Sequence, residues 1–417
     1  MIPTSLEWCQ NQDKNDPLGD KRAAFDLPDG VIYMDGNSLG PLPKSVAPRL
    51  ESVVKQEWRT DLIKSWNTAD WINLPTRVGA RIAPLIGAKA AEVVMADSTS
   101  VNLFKVAAAA CRFAREASTK RTRIISEPGN FPTDLYMMQG LADFLGEDYE
   151  LVTVERSEII DAVDDKTAVV LLTHVHYVTA DMFDMKDITA AVQAKGAMMV
   201  WDLSHSAGAV PVDLNGANAD FAVGCGYKYL NGGPGAPAFL YVAERHLASA
   251  RQPLSGWFGH KSPFDFKDDF EPAADIRRML VGTTGVLAAS ALEEALKVFE
   301  DVDMRVIRQK SLAQADLFMA LVREKLVGHN LGIVTPEKHT GRGSHVSLSF
   351  AEGYAVMQAL IDHGVIGDFR APNYMRFGFT PLYLSFEDVY RAVDILADIL
   401  DKEIWRDSKY RTRSDVT

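Results

Sequence analysis

The chain has 417 residues, of which 47% are hydrophobic and 24% charged, an ordinary globular composition that is long enough for two domains. Its formal net charge of −12 disfavours nucleic acid and anionic membranes as partners, because both repel an acidic surface. The three cysteines (Cys9, Cys111 and Cys225) are far apart and odd in number, so they indicate no disulfide framework and fit a reducing compartment. The first residues do not resemble a secretory signal, and no apolar run is long enough to span a membrane. We therefore expect a cytoplasmic protein.

Short apolar runs alternate with helix-like stretches through the middle of the chain. Amphipathic stretches such as 101–114 and 132–145 separate most of these runs. The runs have the continuous apolar character of strands that are buried on both faces. They cover residues 92–95, 123–126, 151–154, 168–173, 197–202, 221–224 and 238–242. The alternation predicts an α/β fold built on a mainly parallel, seven-stranded sheet.

The pattern changes after about residue 285. Two long amphipathic helices are predicted over 286–300 and 304–326. Short predicted strands (332–334, 345–350 and 375–379) then mix with helices (354–363 and 387–401). We therefore predict a large domain over residues 46–285 and a smaller α+β domain over 286–417. The N-terminal segment 1–45 is rich in turn formers and is expected to pack with the smaller domain.

An aspartate and a lysine follow two of the predicted strands. Asp202 ends the run 197–202, and Lys228 follows the run 221–224 within a stretch of small residues. Pyridoxal phosphate needs this pair, because a lysine amine forms a Schiff base with its aldehyde and a carboxylate keeps its pyridine nitrogen protonated. His205, close after Asp202, is expected to contact the cofactor or to order its neighbours. The alternatives are a surface lysine, a helix-capping aspartate and a structural histidine.

Further residues are predicted to hold the phosphate and the ring of the cofactor. Thr99 and Ser100 lie in a strand-to-helix turn, where backbone amides and hydroxyls bind phosphate, although an ordinary helix cap would look alike. Phe131 could stack on the pyridine ring or act as a packing residue at a helix start. Two more cofactor contacts are expected close to Phe131, namely Pro132 in the first helical turn and Asp134 at the ring. Thr173 is expected to contact the ring hydroxyl, and the phenol of Tyr227 could add a hydrogen bond.

Two loops and one arginine complete the candidate residues. The loops contain Trp257, among aromatic residues and turn formers, and Thr283 in a hydroxyl-rich turn; both could equally be hinges. Arg376 lies in an otherwise apolar predicted strand, where a charge is costly unless it is paired. An amino-acid carboxylate would be a bidentate partner, and a structural salt bridge is the alternative.

Motifs along nearly the whole chain resemble the fold-type I pyridoxal-phosphate enzymes of the class-V aminotransferase group, and within that group the kynureninases. The Asp202, His205 and Lys228 set would also fit cysteine desulfurases and several aminotransferases. The segments Gly-Trp-Phe-Gly-His (256–260) and Tyr-Lys-Tyr-Leu-Asn-Gly-Gly (227–233) narrow the resemblance to kynureninases. The other matching segments cover residues 33–40, 65–67, 130–134, 201–208 and 376–383.

The resemblance implies a hydrolase of tryptophan catabolism that converts L-kynurenine to anthranilate and L-alanine as a homodimer with shared active sites. It makes Lys228 the Schiff-base lysine, Tyr227 a candidate acid–base group and Arg376 the ligand of the substrate carboxylate. The implied cofactor contacts are Thr99, Ser100, Phe131, Pro132, Thr133, Asp134, Thr173, Asp202, His205 and Tyr227, with Trp257 and Thr283 supplied by the partner subunit. Some family members have Asn where this chain has Thr283, which leaves open the preference between kynurenine and 3-hydroxykynurenine.

Two other classes of function remain as alternatives. The same scaffold supports transamination and cysteine desulfuration, and a desulfurase would need a mobile, nucleophilic cysteine. A non-enzymatic ligand sensor is the other alternative, but the presence of Lys228, Asp202 and Arg376 argues for retained catalysis. No His/Cys/carboxylate cluster in the sequence indicates a metal site.

Overall fold

The structure is a computed structural model that describes residues 3–412. Its helices are α1 (Leu6–Lys14), α2 (Val46–Ser52), α3 (Ser65–Thr68), α4 (Leu74–Ile82), α5 (Thr99–Ala117), α6 (Pro132–Leu145), α7 (Ile159–Ala162), α8 (Met185–Ala194), α9 (Glu244–Leu247), α10 (Val286–Ala295), α11 (Met304–Lys325), α12 (Gly353–Asp362) and α13 (Phe386–Asp401). Its strands are β1 (Ile32–Tyr33), β2 (Val93–Met95), β3 (Arg123–Ser126), β4 (Glu150–Thr153), β5 (Thr167–Thr173), β6 (Met198–Asp202), β7 (Phe221–Gly224), β8 (Phe239–Val242), β9 (Gly332–Ile333), β10 (His345–Ser349), β11 (Val365–Ile366), β12 (Asp368–Arg370) and β13 (Tyr374–Gly378). Within this part of the chain, no helix has both the length and the apolarity needed to cross a membrane.

The chain divides into two units, and the larger one is built on a seven-stranded sheet. This unit contains residues 46–176 and 183–296. The strand order is β2-β8-β7-β6-β5-β3-β4, and β8 alone runs antiparallel to both of its neighbours. Every residue of β5, β7 and β8 is buried, as expected for strands covered on both faces. The predicted α/β class with a mainly parallel sheet is confirmed.

Small side chains bring helix α5 close to this sheet. Four consecutive alanines at 107–110 lie in the middle of α5, and all four are buried. The helix packs against β5, β6, β7 and β8. Because alanine adds little volume beyond the backbone, the helix axis can approach the strands, and the remaining apolar side chains fill the layer between them. The helix begins shortly after the carboxyl end of β2.

Of the described residues, the smaller unit contains 3–45, the short segment 177–182 and 297–412. Its antiparallel sheet has the order β12-β13-β10-β9, and β1 pairs in parallel with β11. Helix α13 packs against α1, α11 and α12. The segment 177–182 is fixed by backbone hydrogen bonds from Gly343 N to Ala180 O and from Met182 N to Gly341 O, at 2.8 and 2.9 Å.

The observed units differ from the predicted domains at two places. Helix α10 lies in the larger unit, whereas the sequence placed everything after residue 285 in the smaller domain. Its packing against α2 and α4 explains the difference, because the buried face of α10 includes Ala291 and Ala295 in contact with Val46. The segment 177–182 lies in the smaller unit, although it is embedded in the sequence of the larger one.

Helix α4 and strand β2 approach so closely that no side chain fits at Gly79. A Cβ atom there would lie 2.2 Å from the carbonyl oxygen of Val93, whereas one at Gly140, in α6, would meet nothing within 4 Å. We expect Gly79→Ala to lower the free energy of unfolding by about 1–3 kcal/mol through overpacking. The control Gly140→Ala should leave stability unchanged or raise it by up to ~1 kcal/mol, because alanine favours helix. Urea denaturation measures both, and a Gly79→Ala protein as stable as the parent would contradict this packing.

Candidate active site

The candidate site lies at the carboxyl ends of three neighbouring parallel strands in the larger unit. In the sheet register, Thr173 at the end of β5 pairs with Asp202 at the end of β6, and Asp202 pairs with Val223 in β7. Lys228 follows shortly after β7. Parallel strands end at the same edge of a sheet, and such an edge is where open α/β folds bind ligands.

Lys228 is buried next to a histidine and near two aromatic rings. Its Nζ lies 3.0 Å from Nε2 of His205. The same atom lies 5.6 Å from the ring centroid of Phe131 and 5.9 Å from that of Tyr227. The residue is 9% exposed, whereas Phe131 is 39% exposed. The ring of Phe131 therefore still has surface on which a planar ligand can stack.

Asp202 and Asp134 are both buried near Lys228, and each affects the charge of the other. Ser204 donates to Oδ1 of Asp202 from its backbone nitrogen, at 2.8 Å, and from its hydroxyl, at 2.6 Å. Burial, and then the charge of Asp202, raises the pKa of Asp134 well above its usual value. Burial also raises the pKa of Asp202, although Ser204 and Lys228 oppose this shift. An additional cation held here, such as a protonated pyridine nitrogen, would stabilise both carboxylates.

Asn130 connects the ends of β3 and β5, and the sequence analysis did not single it out. Its Oδ1 accepts hydrogen bonds from the Thr173 hydroxyl and, at 2.7 Å, from the Phe131 backbone nitrogen. Its Nδ2 donates to the Ser126 hydroxyl at 3.3 Å. The hydroxyl of Thr173 also lies within donating distance, 3.2 Å, of Oδ2 of Asp134. The available signal was its place in the matching segment 130–134, two residues before the proline that begins α6.

The N-termini of α5 and α6 meet at the predicted phosphate site. We call this site, formed by Thr99, Ser100 and Thr133, the phosphate cradle. Ser98 caps α5, because its hydroxyl accepts a hydrogen bond from the backbone nitrogen of Val101 at 3.3 Å. Ser100 in α5 and Thr133 in α6 have their hydroxyl oxygens 2.7 Å apart. Thr99, the first residue of α5, is half-buried. Both helix dipoles and these hydroxyls favour an anion.

These features fit pyridoxal phosphate. An anion-binding pair of helix ends, an exposed aromatic face and a lysine near buried carboxylates match the phosphate, the ring and the aldehyde of that cofactor. Lys228 would hold the aldehyde carbon, Asp202 the ring nitrogen, and Thr99, Ser100 and Thr133 the phosphate. Pro132 begins α6 at a position where its missing N–H costs nothing.

The remaining predicted residues have different surroundings. Tyr227 is half-buried, and burial raises the pKa of its phenol to about 12. Trp257 is 40% exposed and packs edge-on against Phe258 and Phe264, with ring centroids 4.4 and 5.7 Å away. Thr283 is also exposed. Within residues 3–412, neither Trp257 nor Thr283 makes a hydrogen bond or ring contact with Lys228 and its neighbours.

Arg376 lies on β13 in the smaller unit, where its guanidinium is buried and paired. Its Nε donates to Oδ1 of Asp368 at 2.7 Å, and its Nη2 donates to Oδ2 of the same carboxylate. Nη1 donates to the carbonyl oxygen of Tyr177 at 2.6 Å, and Nη2 also reaches the Ser38 hydroxyl at 3.1 Å. Although burial alone would raise it, the pKa of Asp368 is lowered by Arg376. The salt bridge that the sequence left as an alternative is therefore present.

Comparison with known proteins gives matches over the whole chain. A family model described as the kynureninase C-terminal domain matches residues 307–396. A kynureninase of Burkholderia pseudomallei is 53% identical over 406 residues, covering 97% of this chain and 98% of that protein. A kynureninase of Pseudomonas fluorescens is 50% identical over 415 residues, covering 99% of this chain and 100% of that protein.

Solved structures with the same fold have much lower sequence identity. A cysteine desulfurase from Thermococcus onnurineus superposes with a TM-score of 0.76 at 20% identity, covering 92% of this chain and 98% of that one. A cysteine desulfurase from Escherichia coli gives 0.76 at 18% identity, with coverage of 93% and 98%. These structures establish the fold, and the relatives that are at least half identical establish the family. The chain therefore belongs to the kynureninase family.

Proposed function

We propose that this protein hydrolyses L-kynurenine to anthranilate and L-alanine, using pyridoxal phosphate held at Lys228. The observation that carries the proposal is the buried Lys228 amine beside Asp202 and Asp134, in a chain whose full-length relatives are kynureninases. When bound, the cofactor supplies an electron sink that stabilises negative charge on the substrate carbon bearing the amine. The protein must hold that cofactor, orient the substrate and move protons.

Lys228 and His205 are placed to handle protons close to the cofactor. The Lys228 amine would hold the cofactor, and a free Nζ would be placed to take the proton from the substrate α-carbon. The 3.0 Å contact with His205 orients this amine. Asp202 would keep the ring nitrogen of the cofactor protonated, and the two Ser204 hydrogen bonds fix the orientation of that carboxylate.

Tyr227 is the group we assign to the acid–base step at the γ-carbonyl. Water must add to this carbonyl before the bond between the β- and γ-carbons breaks and releases anthranilate. Because burial raises the pKa of the Tyr227 phenol to about 12, the phenol keeps its proton at neutral pH and can donate a hydrogen bond. The distance of 5.9 Å between the Tyr227 ring centroid and Nζ of Lys228 supports this assignment.

Arg376 is the residue we propose for the substrate α-carboxylate. Asp368 fixes one edge of the guanidinium, and a substrate carboxylate would take the place of the Tyr177 carbonyl and the Ser38 hydroxyl at Nη1 and Nη2. The Asp368 pair also means that Arg376 has a structural role, so the two roles coexist. Removing the whole side chain would leave the buried carboxylate of Asp368 with the less buried Arg370 as its cationic partner, which should destabilise the fold.

Cysteine desulfuration is disfavoured by the state of the cysteines. All three are buried thiols. Burial raises the pKa of Cys9 to about 11 and that of Cys111 to about 12, and it also raises the pKa of Cys225. A nucleophilic cysteine needs thiolate character and access to substrate, and these residues have neither.

We also propose that the chain acts as a homodimer in which each active site is completed by the partner. Trp257 and Thr283 are exposed, and the ring of Trp257 packs against an exposed aromatic group. In that group, Phe264 is 58% and Phe266 78% exposed, and the two rings contact each other with centroids 6.4 Å apart. Exposed apolar clusters of this kind are typical of protein–protein contacts.

The activity itself is tested with purified protein, pyridoxal phosphate and L-kynurenine. We expect equal amounts of anthranilate, followed by fluorescence, and L-alanine, and borohydride reduction should fix the cofactor mass on Lys228. The Lys228→Ala variant is the control and should lose turnover, because both attachment and proton transfer depend on the amine. An aminotransferase would need a 2-oxo acid and release no anthranilate. Alanine and sulfur release from L-cysteine, with kynurenine left intact, would refute the proposed reaction.

The role of Arg376 is best tested with Arg376→Lys, which keeps a cation opposite Asp368 and so preserves the buried pair. Losing the planar fork should lower kcat/KM for kynurenine at least about tenfold, or ~1.4 kcal/mol. Binding of the decarboxylated analogue, kynuramine, should not change, because it has no carboxylate that Arg376 could bind. The cofactor spectrum and the unfolding midpoint serve as controls. Equal losses for kynurenine and kynuramine would show that Arg376 acts only on the fold.

The shared site is tested by mixing two inactive variants, Lys228→Ala and Trp257→Ala. If Trp257 completes the partner's site, each hybrid dimer regains one site with both residues intact, so activity should appear on mixing. If Trp257 acts within its own chain, every site in the hybrid lacks one residue and activity stays at the sum of the separate variants. Sedimentation of the parent at assay concentration checks that the active species is a dimer.

A further inference from the structure

Helix α5 contains a buried lysine, Lys105, that the reaction described above does not use. Its side chain is 0% exposed. Its Nζ donates to Oδ2 of Asp97 at 2.6 Å and to the carbonyl oxygen of Met279 at 2.8 Å. Burial lowers the pKa of Lys105, and Asp97 opposes that shift. A buried ammonium is costly unless it is held by close partners, and these two partners lie on different segments of the larger unit.

The first partner belongs to the turn that leads from β2 into α5. Asp97 has a φ of 41°, in the left-handed region that residues other than glycine rarely adopt. Its backbone oxygen accepts a hydrogen bond from Ala238 at 2.9 Å, and its side chain is held by Lys105. The next residue, Ser98, is the cap of α5, and Thr99 begins the helix. The conformation of Asp97 therefore sets the position of the helix end that forms the phosphate cradle.

The second partner leads to the loops that carry Trp257 and Thr283. Met279 ends the short helical turn Ile276–Met279, and Val281 follows it closely. The carbonyl oxygen of Val281 accepts a hydrogen bond from the backbone nitrogen of Phe258 at 3.2 Å. A Cβ at Gly256 would lie 2.1 Å from that same oxygen, so the two backbones touch. One ammonium thus ties the phosphate cradle to both of these loops.

We propose that Lys105 is the positioning residue of the phosphate site, fixing the start of α5 so that its amides and hydroxyls receive the cofactor phosphate. The proposal rests on the proposed binding of pyridoxal phosphate. Lys105 acts through Asp97 and the turn. Its removal should weaken recognition of the phosphate group and leave recognition of the pyridine ring unchanged.

The smaller unit provides a matched control in Lys310. Its Nζ likewise donates to one carboxylate, Oδ2 of Asp16, and to one backbone carbonyl, that of Pro381, both at 2.6 Å. Asp16 is 4% exposed, whereas the side chain of Asp97 is 31% exposed. Removal of Lys310 therefore leaves a more deeply buried carboxylate unpaired and should destabilise the fold at least as much as removal of Lys105.

The experiment titrates apo-protein with pyridoxal phosphate and, separately, with pyridoxal, which has no phosphate group. Binding is followed by visible absorbance. For Lys105→Met we expect the dissociation constant of pyridoxal phosphate to rise at least about tenfold, or ~1.4 kcal/mol, while that of pyridoxal stays as in the parent. Lys310→Met should lower the unfolding midpoint but bind both ligands as the parent does.

Asp97→Asn provides a second variant, which carries the test if Lys105→Met does not fold. Asparagine tolerates the left-handed conformation but cannot form the ion pair with Lys105. Asp97→Asn should therefore also weaken the binding of pyridoxal phosphate and leave the binding of pyridoxal unchanged. The proposal is overturned if the Lys105 and Asp97 variants bind pyridoxal phosphate as tightly as the parent. The proposal is also overturned if these variants lose affinity equally for pyridoxal phosphate and pyridoxal. The same holds if Lys310→Met loses as much affinity for pyridoxal phosphate as Lys105→Met does. A parent protein that binds the cofactor but leaves kynurenine intact would refute only the proposed reaction.

Discussion

The buried amine of Lys228 shares its surroundings with two buried carboxyl groups, and the larger unit is arranged around this charge balance. Burial raises the pKa of both Asp202 and Asp134, and the charge of Asp202 raises that of Asp134 further. One lysine amine cannot fully compensate two carboxylates. The site is therefore built for a ligand that brings a further positive charge at the ring and a negative charge at the phosphate, and pyridoxal phosphate carries both.

The strand order determines where those charges can meet. β5, β6 and β7 are parallel neighbours, so Thr173, Asp202 and the loop after β7 that carries Lys228 lie at one edge of the sheet. β2 runs parallel to β7, because β8 is antiparallel to both, so α5 begins at the same edge. The alanine-rich middle of α5 lets that helix lie close to the strands. The dipole of the helix and the hydroxyl pair of Ser100 and Thr133 then favour a phosphate there.

Buried charges recur in the smaller unit around Arg376. Its pair with Asp368 has a second carboxyl group nearby, because burial, and then the charge of Asp368, raises the pKa of Asp35 to about 8. Ser38 lies within hydrogen-bond distance of both Asp368 and Arg376. A guanidinium in such a network has one defined orientation, which is a requirement for bidentate recognition of a carboxylate.

The sequence by itself determined the strands of the larger unit, the α/β class and the cofactor chemistry. Continuous apolar runs mark buried strands directly, so the predicted limits of β3 and β7 agree with the structure and the other strands of that sheet differ by about a residue at either end. Lys228 and Asp202 were recognised because each follows such a run, and adjacent motifs carried the resemblance to kynureninases.

Only the tertiary structure decided which distant segments meet. It placed β8 antiparallel between β2 and β7, assigned α10 to the larger unit and put the segment 177–182 in the smaller one. It also revealed Asn130, the partner of Arg376 and the two contacts of Lys105, one of which is 174 positions away in the chain. Hydrophobic periodicity reports on the neighbours of a residue along one helix or strand, whereas these contacts depend on packing between elements that are remote in sequence.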